Sequence, residues 1–265
     1  MKLLKLIPGI VIALVITTLA IDATDSLNGK GGTMLGQLIG SKAAICPQGM
    51  VHVPAALSFS CVDEYEVSAG DNCVVSVPKN QFDTEVNINK ENCRGENLPE
   101  REPWRFINRE QSAIMCARSG KRIPSAAEWY QFALGTAAEN CNIMGSEVAV
   151  GDKFSKCISA AQIKNAVGNV WEWVSDDVIN GQYLTRALPD TGYVMQVDSG
   201  GVATVTVLEK DDQVTGEYFW SHPDGAFGMI RGGYYGSQTD AGVFTVHAQT
   251  APTFTGNAVG FRCIL

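Results

Sequence analysis

The sequence predicts an α+β domain, irregular and loop-rich, stapled by disulfides and set behind a membrane-targeting segment. Three observations carry this expectation. Two capped helical segments lie in the first half, and short apolar runs between glycine-rich turns follow them, the order of an α+β chain. The 27 glycines are spread through the chain rather than repeated at a fixed period, which suits long loops. The eight cysteines are an even number in a chain whose N-terminus reads as an export signal, the setting in which disulfides form and persist.

The elements follow in chain order. Lys2 and Lys5 precede an uncharged run from Leu6 to Ile21, long for a signal-peptide core and short for a membrane span of about 17–25 residues. Thr18-Leu19-Ala20 supplies small residues suited to cleavage. Residues 1–21 therefore read as a signal peptide or a membrane anchor, and either one exports the rest of the chain. Residues 22–44, rich in Gly, Ser and Thr, read as a flexible spacer. Residues 45–265 read as the domain. Met50–Pro54 alternates as a strand, and Phe59–Val67 is a second. The polar stretch 69–100, with Cys73 and Cys93, reads as loop. Asn108 with Gln111 forms a capping box, and Gly120 stops the helix that follows. Ser125 with Glu128 opens a second helix, whose buried stripe is Trp129, Phe132 and Ala133 and which Gly135 ends. Beyond Gly135 the pattern predicts strands only, at 202–208, 227–231, 243–246 and 259–265.

Composition narrows the function. The 265 residues are 45% apolar and 18% charged, enough for a packed core and unlike a disordered chain. The formal charge is -8, and from Val170 onward Arg186, Lys210, Arg231 and Arg262 face eleven carboxylates. Nucleic acid needs clustered cations for its phosphates, so it is not an expected partner. No C-x-x-C or H-E-x-x-H motif occurs, and His52, His222 and His247 are scattered. No Ser or Cys stands beside a base in a nucleophile motif.

Four ordered blocks span residues 46–263. They are Cys46–Pro54 with Cys61–Glu66; Gly120–Trp129; Gly168-Asn169-Val170-Trp171-Glu172-Trp173; and Arg231-Gly232-Gly233 closed by Gly260-Phe261-Arg262-Cys263. Together they resemble the formylglycine-generating enzyme (sulfatase-modifying factor) family, and the resemblance implies a C-type-lectin-like fold. Read physically, Trp171 and Trp173 share one strand face and Glu172 the other. Arg122 and Arg262 are candidate partners for Glu128 or Glu172. Gly232 and Gly233 permit a backbone path closed to other residues. The resemblance implies a Cys116–Cys263 disulfide; proximity in sequence suggests Cys46–Cys61, Cys73–Cys93 and Cys141–Cys157. It also makes Asn169 a candidate ligand for a structural calcium; no other cofactor is expected. The family's oxidase holds copper on a cysteine pair in its last third, and residues 231–262 contain no cysteine. The chain is therefore not expected to be an enzyme, and no catalytic residue is assigned.

The last block carries a second resemblance. The frame Arg231-Gly232-Gly233, Ala241-Gly242-Val243-Phe244, Ala251-Pro252, Gly260–Cys263 is similar to the variable region of target proteins of diversity-generating retroelements. There, adenine-directed mutagenesis turns AAC codons into any NNC codon. Tyr234, Gly236, Ser237, Asp240, His247, Thr250, Phe254, Gly256, Asn257 and Ala258 are all reachable this way. With Tyr235 they form the candidate ligand-binding set within a candidate variable region, 231–263. The frame residues Gly242, Val243, Phe244, Ala251, Pro252, Gly260 and Phe261 are expected to be buried, while Tyr234, Tyr235, Asp240, His247 and Phe254 share an exposed face. The resemblance implies an exported protein, secreted or anchored at the cell surface, that binds a protein or glycan on another cell or phage. A family-type oxidase and a structural or pilus-associated surface protein are the alternatives.

Overall fold

Side-chain caps decide where the helices begin, because each helix leaves its first N–H groups without intrahelical partners. The computed structural model describes residues 46–54, 56, 58–210 and 216–265. The export segment at 1–21 and the spacer at 22–44 lie outside the described residues. Among the described residues, no helix is long and apolar enough to cross a membrane. Helix α1 (Gln81–Asn89) is capped by Asn80, whose side chain accepts from Asp83 N. Helices α2 (Arg109–Ala117) and α3 (Ala126–Ala133) open with the capping boxes expected at Asn108/Gln111 and Ser125/Glu128.

Helix α1 corrects the reading of residues 69–100 as loop. It buries Thr84 and Asn87 instead of an apolar stripe, so it leaves no periodic hydrophobic signal. The Asn87 amide accepts from Val74 N and Val75 N and donates to Val75 O. Trp104 Nε1 donates to Thr84 Oγ1 at 3.0 Å. Arg118 closes the far end, donating to the carbonyls of Ile88, Lys90 and Cys93.

Strand β1 (Met50–His52) pairs antiparallel with β2 (Cys61–Asp63), and β3 (Ser68–Ala69) with β4 (Gly95–Glu96). The other strands are β5 (Trp171–Ile179), β6 (Gln182–Tyr183), β7 (Arg186–Ala187), β8 (Gly192–Val197), β9 (Ala203–Val207), β10 (Tyr218–Trp220), β11 (Ala226–Arg231), β12 (Val246–Thr250) and β13 (Val259–Gly260). They form one nine-stranded sheet in the order β7-β6-β5-β11-β12-β10-β8-β9, with β13 parallel to β5. The strand expected at 243–246 is displaced: β12 starts at Val246. Arg231 takes Val243 O and the Glu217 carboxylate takes Phe244 N, so residues before Val246 turn away from the ladder.

Strand β5 divides the core. Trp171 and Trp173 face one cluster with Trp104, Met115, Ile230 and Phe261. Glu172 faces the other side, where its carboxylate accepts from Trp129 Nε1 (2.8 Å) and Arg262 Nη2 (2.8 Å). Arg262 is fully buried and also donates to Asp63 O and Lys164 O. The other expected pair, Arg122–Glu128, forms at 2.6 Å. The Arg122 guanidinium, with the Ser125 N–H and the Ser58 hydroxyl, holds the Glu128 pKa down at about 2 against the opposing effect of burial. The four disulfides are Cys46–Cys61, Cys73–Cys93, Cys116–Cys263 and Cys141–Cys157. The domain is α+β, loop-rich and disulfide-stapled, as the sequence predicts.

Candidate functional site

The candidate residues emerge from the end of β11. Gly232 and Gly233 have φ of +90° and +85°. A Cβ on Gly232 would stand 2.5 Å from Ala166 O, and one on Gly233 would stand 2.6 Å from Ala241 Cβ. Only glycine fits at either position. Between them and helix α3 lies Arg231, fully buried, whose guanidinium donates to the carbonyls of Ala126, Gly200, Gly201 and Val243. It stacks over Trp129 at 4.9 Å. Burial lowers its pKa to about 10, which leaves it charged at neutral pH.

The chain then makes two loops separated by β12. In the first, Tyr234 N donates to Ser237 Oγ and Ser237 N to Tyr234 O, both at 3.0 Å. Tyr235 N donates to Asn169 O, and Gln238 N to Ile143 O. Thr245 Oγ1 donates to Asp240 O. In the second, Phe106 N donates to Gly256 O, Arg105 Nη1 to Asn257 O and Trp171 N to Ala258 O. Most of these contacts engage backbone atoms of the candidate residues, so the loop paths depend little on their side chains.

Those residues surround two adjoining cavities that share Trp171, Tyr234 and His247 in their walls. The first, of about 470 Å³, is also lined by Thr250, Phe254, Gly256, Asn257 and Ala258. The second, of about 460 Å³, is also lined by Gly236, Ser237 and Asp240. Tyr235 stands beside them, with its ring at 5.0 Å from Tyr234 and its hydroxyl accepting from Asn257 Nδ2 at 3.4 Å. Phe254 is 46% exposed, whereas Tyr234, Tyr235, Asp240 and His247 are half-buried. Thr250 is buried, with its hydroxyl 2.6 Å from His247 Nδ1. Burial lowers the His247 pKa to about 4, so its imidazole is neutral at physiological pH. Burial also raises the pKa of Asp240, with the Lys210 charge opposing.

The frame is less uniformly buried than the sequence predicts. Gly242, Gly260 and Phe261 are buried, Val243, Phe244 and Pro252 are half-buried, and Ala251 is exposed. Ala251 lines the first cavity, and its carbonyl accepts from Phe254 N and turns the loop.

Sequence reasoning missed part of the site. Trp171 serves in the core and also walls both cavities, and Trp220, Gln249 and Ile230 line them too. Trp220 stacks on His247 with centroids 5.4 Å apart. The row continues through Tyr218 (4.7 Å from Trp220) to Tyr193 (4.9 Å from Tyr218). The alternation Tyr218-Phe219-Trp220, with only Phe219 fully buried, is the signal that would have revealed this row.

Asn169 does not fit a calcium site. Its Oδ1 already accepts from Asn142 Nδ2 (3.1 Å) and Ala149 N (2.8 Å), and its Nδ2 donates to Glu66 and Ala149 O. The residue is a buried hub whose amide is spent on protein partners. Among the described residues, no group of three or more His, Cys, Asp or Glu side chains could hold a metal ion. All eight cysteines are disulfide-bonded, so the chain lacks the thiol pair on which the family's oxidase depends.

No curated protein matches the chain. Among solved structures, the Major Tropism Determinant U1 Variant is similar at 16% identity with a TM-score of 0.49, covering 84% of this chain and 53% of that one. The P3c Variant gives 16% identity, a TM-score of 0.48 and the same coverage. The chain thus spans about half the length of these relatives. Treponema denticola variable protein 1 is similar at 14% identity with a TM-score of 0.42, covering 83% of this chain and 99% of that one. A family model matches residues 142–265, the segment that contains β5 to β13 and both cavities. That model describes a sulfatase-modifying factor enzyme 1-like domain, and the segment it matches contains the third and fourth of the sequence blocks.

Proposed function

We propose that this is an exported ligand-binding protein, secreted or held at the cell surface by its N-terminal segment. Its partner is a protein or glycan on another cell or phage. The binding face is the candidate variable region 231–263, diversified by a retroelement. The observation that carries this reading is how the face is held. Tyr235, Gly256, Asn257 and Ala258 are gripped through their backbone N–H or C=O groups by Asn169, Phe106, Arg105 and Trp171. Such loops tolerate new side chains while keeping their course, as a rigid scaffold must for a changing contact surface. The half-exposed aromatics Tyr234, Tyr235 and Phe254 suit anchors, and Ser237 and Asn257 suit adaptable polar contacts.

Sequencing the gene's neighbourhood tests the reading. A reverse transcriptase gene and an adenine-rich near-copy of the 231–263 coding segment are expected nearby. Sibling sequences should differ at codons such as those of Tyr234, His247 and Phe254 while the frame codons stay constant. Absence of the near-copy, or changes spread evenly over frame and candidate codons, would overturn it.

A further inference from the structure

We propose that the first cavity, walled by Phe254, Tyr234 and Gln249, takes a neutral hexopyranose unit, bound by ring stacking and amide hydrogen bonds without calcium. The proposal rests on the binding-face reading above and names the ligand class.

The lining of this cavity contains no carboxylate, ammonium or guanidinium group. Its one imidazole, His247, is neutral at physiological pH. A charged ligand would lose its hydration there without gaining a counter-charge. Anionic sugars face further opposition from Asp240 in the adjoining cavity and from the formal charge of -8.

Two aromatic platforms face the space. The Phe254 ring lies against Gly256 and the Tyr234 ring against Gly236, where an added Cβ would come within 2.9 Å and 3.0 Å of ring carbons. Each ring lies against a glycine, and both rings line the cavity. Aromatic faces carry negative potential, and the polarised C–H groups of a pyranose complement it. Beside them, the Gln249 amide has no partner among the described residues. The Asn257 side chain spends one N–H on Tyr235 and keeps Oδ1 open. A side-chain amide both donates and accepts, as sugar hydroxyls do. The volume of about 470 Å³ falls within the roughly 300–1,000 Å³ of small-ligand sites. A proline-rich segment is the competing occupant, and it favours parallel aromatic ridges. Here Trp171 meets Trp220 at 81° and His247 at 72°, and the near-parallel pair, Trp220 on His247 at 27°, includes a ring that does not line this cavity.

The test is tryptophan fluorescence of the purified domain titrated with the methyl glycosides of glucose, galactose, mannose and N-acetylglucosamine, in EDTA and in calcium. At least one should shift the emission saturably and equally in both buffers. Phe254→Ala and Gln249→Ala should each weaken that binding tenfold or more with unchanged melting temperature. Gly256→Ala, whose added Cβ would stand 2.9 Å from the Phe254 ring and force it to move, should do the same. No saturable shift with any glycoside, a shift that requires calcium, or one that survives Phe254→Ala would overturn the proposal. A polyproline peptide that binds in a Phe254-dependent way where the glycosides fail would overturn the sugar while leaving the binding face standing. The codon pattern that tests the face is read from DNA and is independent of either result.

Discussion

Replacing Glu66 by glutamine should abolish that residue's share of the stability that the domain loses as pH rises from acid to neutral. Glu66 is 2% exposed, and its carboxylate accepts from Asn169 Nδ2 at 2.8 Å and Asn165 Nδ2 at 3.2 Å. Burial raises its pKa from 4.5 to about 7, with the Glu172 charge adding to the rise and Arg262 opposing it. Between those values the folded protein keeps a proton that the unfolded chain has released. The contribution is therefore fully favourable below pH 4.5 and is lost as pH climbs through about 7. At about 1.36 kcal/mol per pH unit the loss is about 3 kcal/mol. For a domain of this size that corresponds to roughly 6–12 °C in Tm. Gln keeps the shape and the neutral state. Glu66→Gln should match the wild type near pH 4.5 and melt roughly 6–12 °C higher at pH 8. Glu217, raised to about 7 by burial, slopes the same way in both proteins. His247 slopes oppositely in both, because a pKa lowered to about 4 costs stability as pH falls from 6.5. The difference between the two profiles thus isolates Glu66. Calorimetric melts from pH 4 to 8, with disulfides intact, read it. Parallel profiles would refute the account of a carboxylate raised by burial.

Three further outcomes are expected. Arg262→Met leaves Glu172 without its buried guanidinium and should cost about 3–5 kcal/mol in urea unfolding, most of it recovered when Glu172→Met is added. Tyr234→Ala and Phe254→Ala should cost about 1 kcal/mol or less. Trp173→Ala, at a fully buried site, should cost about 3–5 kcal/mol; equal melts for the three variants would make the candidate face part of the core. The Cys116→Ala, Cys263→Ala double variant opens the disulfide with the longest sequence separation, 147. It should lose about 2–5 kcal/mol, and a smaller loss than that of the Cys141→Ala, Cys157→Ala variant would contradict the expected dependence on loop length.

The sequence by itself determined the features that depend on local chemistry. The caps at Asn108 and Ser125 start helices because a side-chain oxygen three residues upstream satisfies a free N–H wherever the chain is placed. Alternation set Trp171 and Trp173 on one side of β5 and Glu172 on the other, since strand geometry admits nothing else. The frame residues Arg231 and Gly260 lie in β11 and β13, and the candidate residues picked out between them line or adjoin the two cavities. Tertiary structure alone decided what depends on distant partners. Helix α1 rests on Asn87 and Thr84 bonding to loops and to Trp104, which no periodic pattern announces. Asn169 was left with no oxygen for an ion because Asn142 and Ala149, remote in sequence, reach it first. Trp220 joined the site because β10 pairs in parallel with β12, which sets it against His247. Such pairings are chosen by the burial of the whole sheet, a quantity that no single stretch of chain contains.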